Sequence, residues 1–162
     1  MRCLELALNV VLYQPETPAN TGNIARTCAA INAPLHLIRP LGFSVDDKRL
    51  KRAGLDYWKH VDSRYYDDLR DFFTQNVEGD FYYLTTSGEQ RYTDFDYSDV
   101  HKEIFFVFGR ENSGLPDDLK ADNKQRCARV PMGKRMPSLN LSNTVAIMVY
   151  EALKQQGFPN LS

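Results

Sequence analysis

The most restrictive feature of this chain is a kind of segment that recurs along it. NVVLYQP at 9–15, FYYLTT at 81–86 and EIFFVFG at 103–109 carry their apolar residues in unbroken runs. A strand with one wet face alternates apolar and polar side chains, whereas a short continuous run suits a strand covered on both faces. EIFFVFG is the most hydrophobic of the three. Two covered faces call for helices, and helical spacing appears between the runs. In PANTGNIARTCAAINAP at 18–34, Ile24, Cys28 and Ile31 fall on one face, Asn20 or Thr21 is placed to cap the start, and Pro34 closes the end.

The remaining segments extend the alternation. LHLIRP (35–40) reads as a second strand, and DDKRLKRAGLDYW (46–58) as a short charged helix with Asp46 or Asp47 at its positive end. YYDDLRDFFTQN (65–76) reads as a helix with Leu69, Phe72 and Phe73 on one side. A short acidic helical piece follows residue 116, RCARVPM (126–132) is the last strand, and the final helix runs from about Ser142 to Gln156. Strands alternating with helices mean an α/β fold with a mostly parallel sheet flanked by helices. With no repeat, linker or low-complexity tract in 162 residues, one domain over 1–162 is expected.

The net charge is -1, so no global basic field points to nucleic acid, although a local patch is compatible with that balance. Cys3, Cys28 and Cys127 are odd in number and widely spaced, and His36, His60 and His101 are as scattered. Neither a disulfide framework nor a metal site is expected from such spacing. The opening MRCLELALNVVLY carries Glu5 and no small-residue cleavage site, and no apolar run reaches the ~20 residues of a membrane helix. A cytoplasmic protein away from the membrane is the expectation.

In open parallel sheets, ligands gather beyond the carboxyl ends of the strands. Four polar segments occupy such places: PANTGNIAR, TTSGE, GRENSGLP and GKRMPSLNLSN. A dinucleotide site would want G-x-G-x-x-G and a phosphate loop G-x-x-x-x-G-K-[ST], and neither is present. Ser113 lies in N-S-G rather than G-x-S-x-G, which argues against a hydrolase.

NTGNIAR (20–26), FVFGRENSGLP (106–116) and VPM followed by SLNLSN (130–143) resemble, in order and spacing, the three signature motifs of the SPOUT methyltransferases. VLYQPETPANTGNIARTCA and GFSVDDKRLKRAGLDYW are similar to the TrmL (YibK-like) group of that superfamily. The resemblance implies a C-terminal deep trefoil knot, a homodimer, and S-adenosyl-L-methionine as cofactor, released as S-adenosyl-L-homocysteine, with no metal. It further implies methylation of the ribose 2′-oxygen at the wobble position of leucine tRNAs, on C or a modified U, with the anticodon stem-loop as the part of the tRNA engaged. By the same resemblance Leu84, Thr85, Gly109, Glu111, Val130, Met132, Ser138, Leu139 and Asn143 form the cofactor pocket.

By the same resemblance Arg26 is the catalytic candidate, with Asn20 and Asn23 beside it on the same helix; read without the motif, Arg26 is a solvated helix residue or one half of an ion pair. Arginine stays protonated, so its expected role is to hold a phosphate and to stabilise the developing alkoxide rather than to act as a base. Asn140, Ser142 and Asn143 either cap the last helix or shape the site. Lys48, Arg49, Lys51 and Arg52 crowd one segment, and Lys124, Arg126, Arg129, Lys134 and Arg135 surround the last strand. Of these, Lys48, Arg49, Arg52, Lys134 and Arg135, with Tyr150 of the final helix, are the expected RNA contacts. Tyr57 and Trp58 either stack on an anticodon base or belong to a core or interface. Pro137 stands where many TrmL-like chains carry a basic residue. Rival readings are a methyltransferase of another RNA, a knotted RNA-binding protein without turnover, and a flavodoxin-like nucleotide-binding domain.

Overall fold

The structure, a computed structural model, describes residues 8–46 and 48–162, without the side chains of residues 51 and 53–56. Cys3, Glu5, Asp47 and the side chain of Lys51 therefore lie outside the described residues. The order of elements is β1 (Leu8–Tyr13), α1 (Pro18–Ile31), β2 (Leu35–Ile38), α2 (Lys48–Trp58), β3 (Ser63–Tyr66), α3 (Leu69–Gln75), β4 (Asp80–Leu84), β5 (Gln90–Arg91), β6 (Ile104–Phe108), α4 (Asp117–Asp122), β7 (Cys127–Arg129) and α5 (Leu141–Gln156).

The strands form one sheet in the order β3-β2-β1-β6-β4-β7-β5, and every pairing in it is parallel. From β1 the chain winds outward through β2 to β3. It then returns to the other side as β4, and β6 enters between β1 and β4. This reversal is the place where parallel sheets open a crevice at their carboxyl edge. The unbroken apolar runs occupy the middle: β6 is buried at all five positions, and β1 at all but Tyr13.

One face carries Val10, Leu12, Phe106 and Phe108 against Ile24, Ala25 and Cys28 of α1 and Val145, Met148 and Val149 of α5. The other carries Val11, Phe105 and Val107 against Phe72 of α3 and Leu115. Cys28 sits on the first face, where burial pushes its thiol up to about 12. Among the described residues, no helix is long and apolar enough to cross a membrane.

Two expectations need correction. Tyr65 and Tyr66 are not the start of a helix but the end of a strand, Ser63–Tyr66, parallel to β2, and the helix begins only at Leu69, capped by the Asp68 carboxylate. β3 is an edge strand with alternating burial, so it lacks the continuous run that betrays its neighbours. The start of α1 also lies elsewhere. Its N-cap is Thr17, which makes no side-chain cap bond, and Asn20 and Thr21 already stand inside the helix. The helix ends at Asn32, whose left-handed φ of 58° turns its N–H back to Ala29 and Cys28.

Among the described residues, three polar side chains are fully buried: Asn9, Thr21 and His36. The Asn9 amide nitrogen donates to the Glu103 carboxylate at 2.9 Å and to the Ile104 carbonyl at 3.2 Å. Its oxygen must then be the acceptor of the 2.9 Å contact with His36 Nε2. Nε2 therefore carries the proton, and Nδ1 accepts from the Tyr66 hydroxyl at 2.8 Å. Neutral imidazole satisfies the whole chain of bonds, and burial, the largest cause, lowers the His36 pKa to about 4.

Candidate active site

Beyond the carboxyl ends of β1, β6, β4 and β7 lies a cleft of about 610 Å³. Its apolar walls are Leu84, Phe108, Leu115, Val130, Leu139 and Leu141, and its polar lining includes Asn20, Thr85, Ser87, Ser138, Asn140 and Thr144. Such a mixture, apolar walls interleaved with polar groups in about equal measure, suits a small polar organic ligand.

The floor is set by glycine. After β6 the chain turns back on itself, Gly114 N–H donating to the Arg110 carbonyl at 2.9 Å and Arg110 N–H to the Gly114 carbonyl at 3.2 Å. A Cβ on Gly109 would stand 2.3 Å from both the Gly114 carbonyl carbon and the Leu115 nitrogen, so no side chain fits there. Gly114 itself holds a φ of +70°, a conformation that L side chains rarely adopt. On the opposite wall the ladder is prolonged by Thr85, whose N–H donates to the Ala128 carbonyl at 3.0 Å.

Two carboxylates tie this turn to the start of α1. Glu111 accepts from the Glu16 N–H at 2.8 Å and the Thr17 N–H at 3.2 Å, supplying the cap that Thr17 lacks. In return Glu16 accepts from the backbone and the side-chain amide of Asn112, each at 3.3 Å. At the far end Asn140 caps α5, its side-chain oxygen accepting from Ser142 N–H at 2.9 Å and Ser142 Oγ at 2.6 Å. Of the two roles open to that asparagine, it performs both, because it also lines the cleft.

Leu84, Thr85, Gly109, Glu111, Val130, Met132, Ser138 and Leu139 all line this cleft. Asn143 does not: it is exposed in the first turn of α5, while Thr144 is the residue of that turn that borders the cavity. Sequence reasoning passed over Phe108, Arg110, Leu115 and Thr144, of which Phe108, Arg110 and Leu115 lie inside the quoted motif FVFGRENSGLP.

Along α1, Asn20 reaches the cleft, but Asn23 and Arg26 are exposed and do not line it. Arg26 is six residues on, about 9 Å along the axis, and its guanidinium lies over the Tyr57 ring of α2, 4.9 Å from the centroid. Tyr57 thus supports an arginine, and Trp58 packs partly buried against the core. Lys48, Arg49 and Arg52 are exposed on α2, and Lys134 and Arg135 are exposed between β7 and α5. Tyr150 stands exposed on α5. Arg126 is engaged, pairing with Asp80 at 2.8 Å and lying over Tyr82. Among the described residues no cluster of His, Cys, Asp and Glu is grouped to hold a metal ion.

Residues 7–150 match the SpoU rRNA Methylase family. A Geobacillus stearothermophilus protein provisionally named a tRNA (cytidine(34)-2′-O)-methyltransferase is 65% identical over 157 residues, which are 97% of this chain and 100% of that one. A solved structure presented as insight into the 2-OH methylation of C/U34 on tRNA is 40% identical, with a TM-score of 0.86 over 93% of this chain and 96% of that one. A Sinorhizobium meliloti rRNA methyltransferase solved with AdoMet bound is 26% identical, with a TM-score of 0.81, over 91% of this chain and 56% of that one.

Proposed function

The chain belongs to the SpoU rRNA Methylase family, with the knotted α/β fold of its SPOUT relatives, and we propose that it methylates the ribose 2′-oxygen at position 34 of tRNA. The observation that carries this reading is the cleft at the sheet's reversal, built from the three motifs and shared in sequence with a relative over its full length.

S-adenosyl-L-methionine fits the residues present. The volume of about 610 Å³ is that of a small-molecule site, and the glycine turn keeps backbone amides and carbonyls within reach of a flat ring. Leu84, Val130, Met132 and Leu139 offer apolar contact, and Thr85 and Ser138 offer hydroxyls. Glu111 serves by bracing α1 against the turn. When bound, the cofactor supplies an electrophilic methyl on a sulfonium and departs as S-adenosyl-L-homocysteine.

Arg26 holds the phosphate beside the target ribose and stabilises the developing alkoxide as the 2′-oxygen takes the methyl and its proton passes to water. Asn20 and Asn23 orient that group from the same helix. Because Arg26 and Asn23 stand off the cleft of their own chain, the site is completed by a second copy, as a homodimer in which α1 of one protomer faces the cleft of its partner. Lys48, Arg49 and Arg52 with Lys134, Arg135 and Tyr150 then form the footprint for the anticodon stem-loop. The substrates are leucine tRNAs carrying C or a modified U at the wobble position, met in the cytoplasm. Pro137 leaves Lys134 and Arg135 to supply the charge that a basic residue would give there.

Methyl transfer from labelled S-adenosyl-L-methionine to total tRNA from a strain lacking this protein, followed by nucleoside mapping, tests the reading. Label in 2′-O-methylcytidine or 2′-O-methyluridine at position 34, lost in Arg26→Ala, is the expected result. Label at another position or in another RNA would overturn the substrate, and cofactor binding without transfer to any RNA would overturn the activity.

A further inference from the structure

The cleft contains a cation whose charge nothing described answers. Its charged lining residues are Arg110, Glu111 and Lys120. Glu111 spends its oxygens on the amides of Glu16 and Thr17, and Lys120 pairs with Asp117 at 3.3 Å. Arg110 has no ion pair among the described residues, and its Nε is buried without a hydrogen-bond partner. A buried donor left unmade is costly, and a guanidinium is the group least able to shed its charge to avoid that cost.

Arg110 is also held in place. Its backbone is closed into the turn by the two bonds with Gly114, at 3.2 and 2.9 Å. Its guanidinium lies over the ring of Tyr13, the last residue of β1, 5.0 Å from the centroid. Rooted by the turn and flattened on an aromatic face, the fork keeps its N–H edges for an in-plane acceptor, and carboxylate and phosphate oxygens match that geometry.

We propose that Arg110 is the oxyanion-binding residue of the cleft, a role that rests on the methyltransferase reading above. Two oxyanions come to such a site: the carboxylate at the amino-acid end of the cofactor, and a phosphate of the RNA. Both would meet the same unpaired edge, and both would answer the same charge.

The test is calorimetric binding of S-adenosyl-L-homocysteine and of 5′-methylthioadenosine, which lacks the amino-acid end, to the full chain and to Arg110→Gln and Arg110→Ala. Thermal melts of both variants accompany it, with tRNA binding measured across salt concentrations. About a tenfold or greater loss for S-adenosyl-L-homocysteine, with 5′-methylthioadenosine unchanged, identifies the carboxylate. Unchanged binding of both nucleosides, with the log-log salt slope for tRNA reduced by about one, identifies the phosphate. Parallel weakening of both nucleosides would overturn the proposal, since Arg110 would then only shape the cavity, and so would no change in any arm. If the unaltered chain binds neither nucleoside, the cofactor reading falls, and the tRNA arm alone decides the role of Arg110.

Discussion

Replacing Glu111 by Gln tests whether the two cross-loop hydrogen bonds organise the site. The carboxylate receives the Glu16 N–H at 2.8 Å and the Thr17 N–H at 3.2 Å, ahead of a helix whose own N-cap residue makes no side-chain bond. Glutamine keeps the shape but turns one acceptor into a donor. One N–H then keeps a neutral partner, weaker by about 1 kcal/mol than a charged one. The other N–H faces an NH₂ group and is left unmade, at about 1–2 kcal/mol. Losing the negative charge at the helix N-terminus adds about 0.3–1 kcal/mol. Because Glu111 is half-buried and water reaches part of the site, we expect a total near 2–3 kcal/mol, or a melting temperature lower by about 4–12 °C for a chain of this size. Urea unfolding of both proteins, compared at equal m-value, measures the difference. Binding of S-adenosyl-L-homocysteine should weaken alongside, since Glu111 and Asn20 both border the cleft. A loss below about 0.5 kcal/mol, within the range of ordinary surface substitutions, would refute the reasoning and mean that water caps α1 equally well.

Gly109→Ala should reduce cofactor affinity at least tenfold and stability by about 1–3 kcal/mol, because its methyl would sit 2.3 Å from two backbone atoms of the facing turn; calorimetry and urea unfolding read the two effects. Arg26→Ala should lower kcat by about 10²–10³ with cofactor binding intact, and mixing it with Gly109→Ala should restore part of the activity through dimers that hold one sound α1 and one sound cleft. Tyr57→Ala should lower kcat in the same direction and Tyr57→Phe should not, since only the ring face meets Arg26. His36 is neutral in the fold with a pKa near 4, against about 6.5 in an unfolded chain. The unfolded state therefore binds more protons between these values. Stability should be full above pH 6.5 and fall by about 3 kcal/mol as the pH drops to 4, visible as a steady decline in urea midpoints.

What the sequence made legible was what depends on neighbours in the chain. The apolar runs of β1, β4 and β6 declare strands because each must be covered on both sides, and the polar segments behind them mark the rim where Leu84, Gly109 and Ser138 meet. β3 escaped because an edge strand has alternating burial, and Tyr65 and Tyr66 run on into the real helical signal of Leu69 and Phe72. The cap of α1 is hidden for a different reason. A threonine or asparagine near a helix start is an ordinary cap, and nothing local says that the acceptor comes from Glu111, some 94 residues away. The same blindness covers His36, whose bonds run to Asn9 and Tyr66, and Arg26, whose aromatic support lies on another helix. Asn143 belongs to the motif that supplies the pocket, but a helix turns by about 100° per residue, and that rotation puts Thr144 at the cavity instead.

The late entry of β6 between β1 and β4 sets a timetable for the chain's birth. β1 pairs with β6 in a register that joins Leu8 to Ile104, so its partner on that side is made 96 residues after it. At about 5–20 residues per second, that edge of β1 waits roughly 5–20 s for the strand that closes it. Throughout that interval its amides and carbonyls stand open, an invitation to any other extended chain nearby. Ligand cannot shorten the wait. Apart from Asn20, the walls of the cleft come from residues 84 to 144, so a small molecule finds nothing to hold until that whole stretch has been made. Binding rewards the finished protein and leaves the nascent one to whatever else shields it.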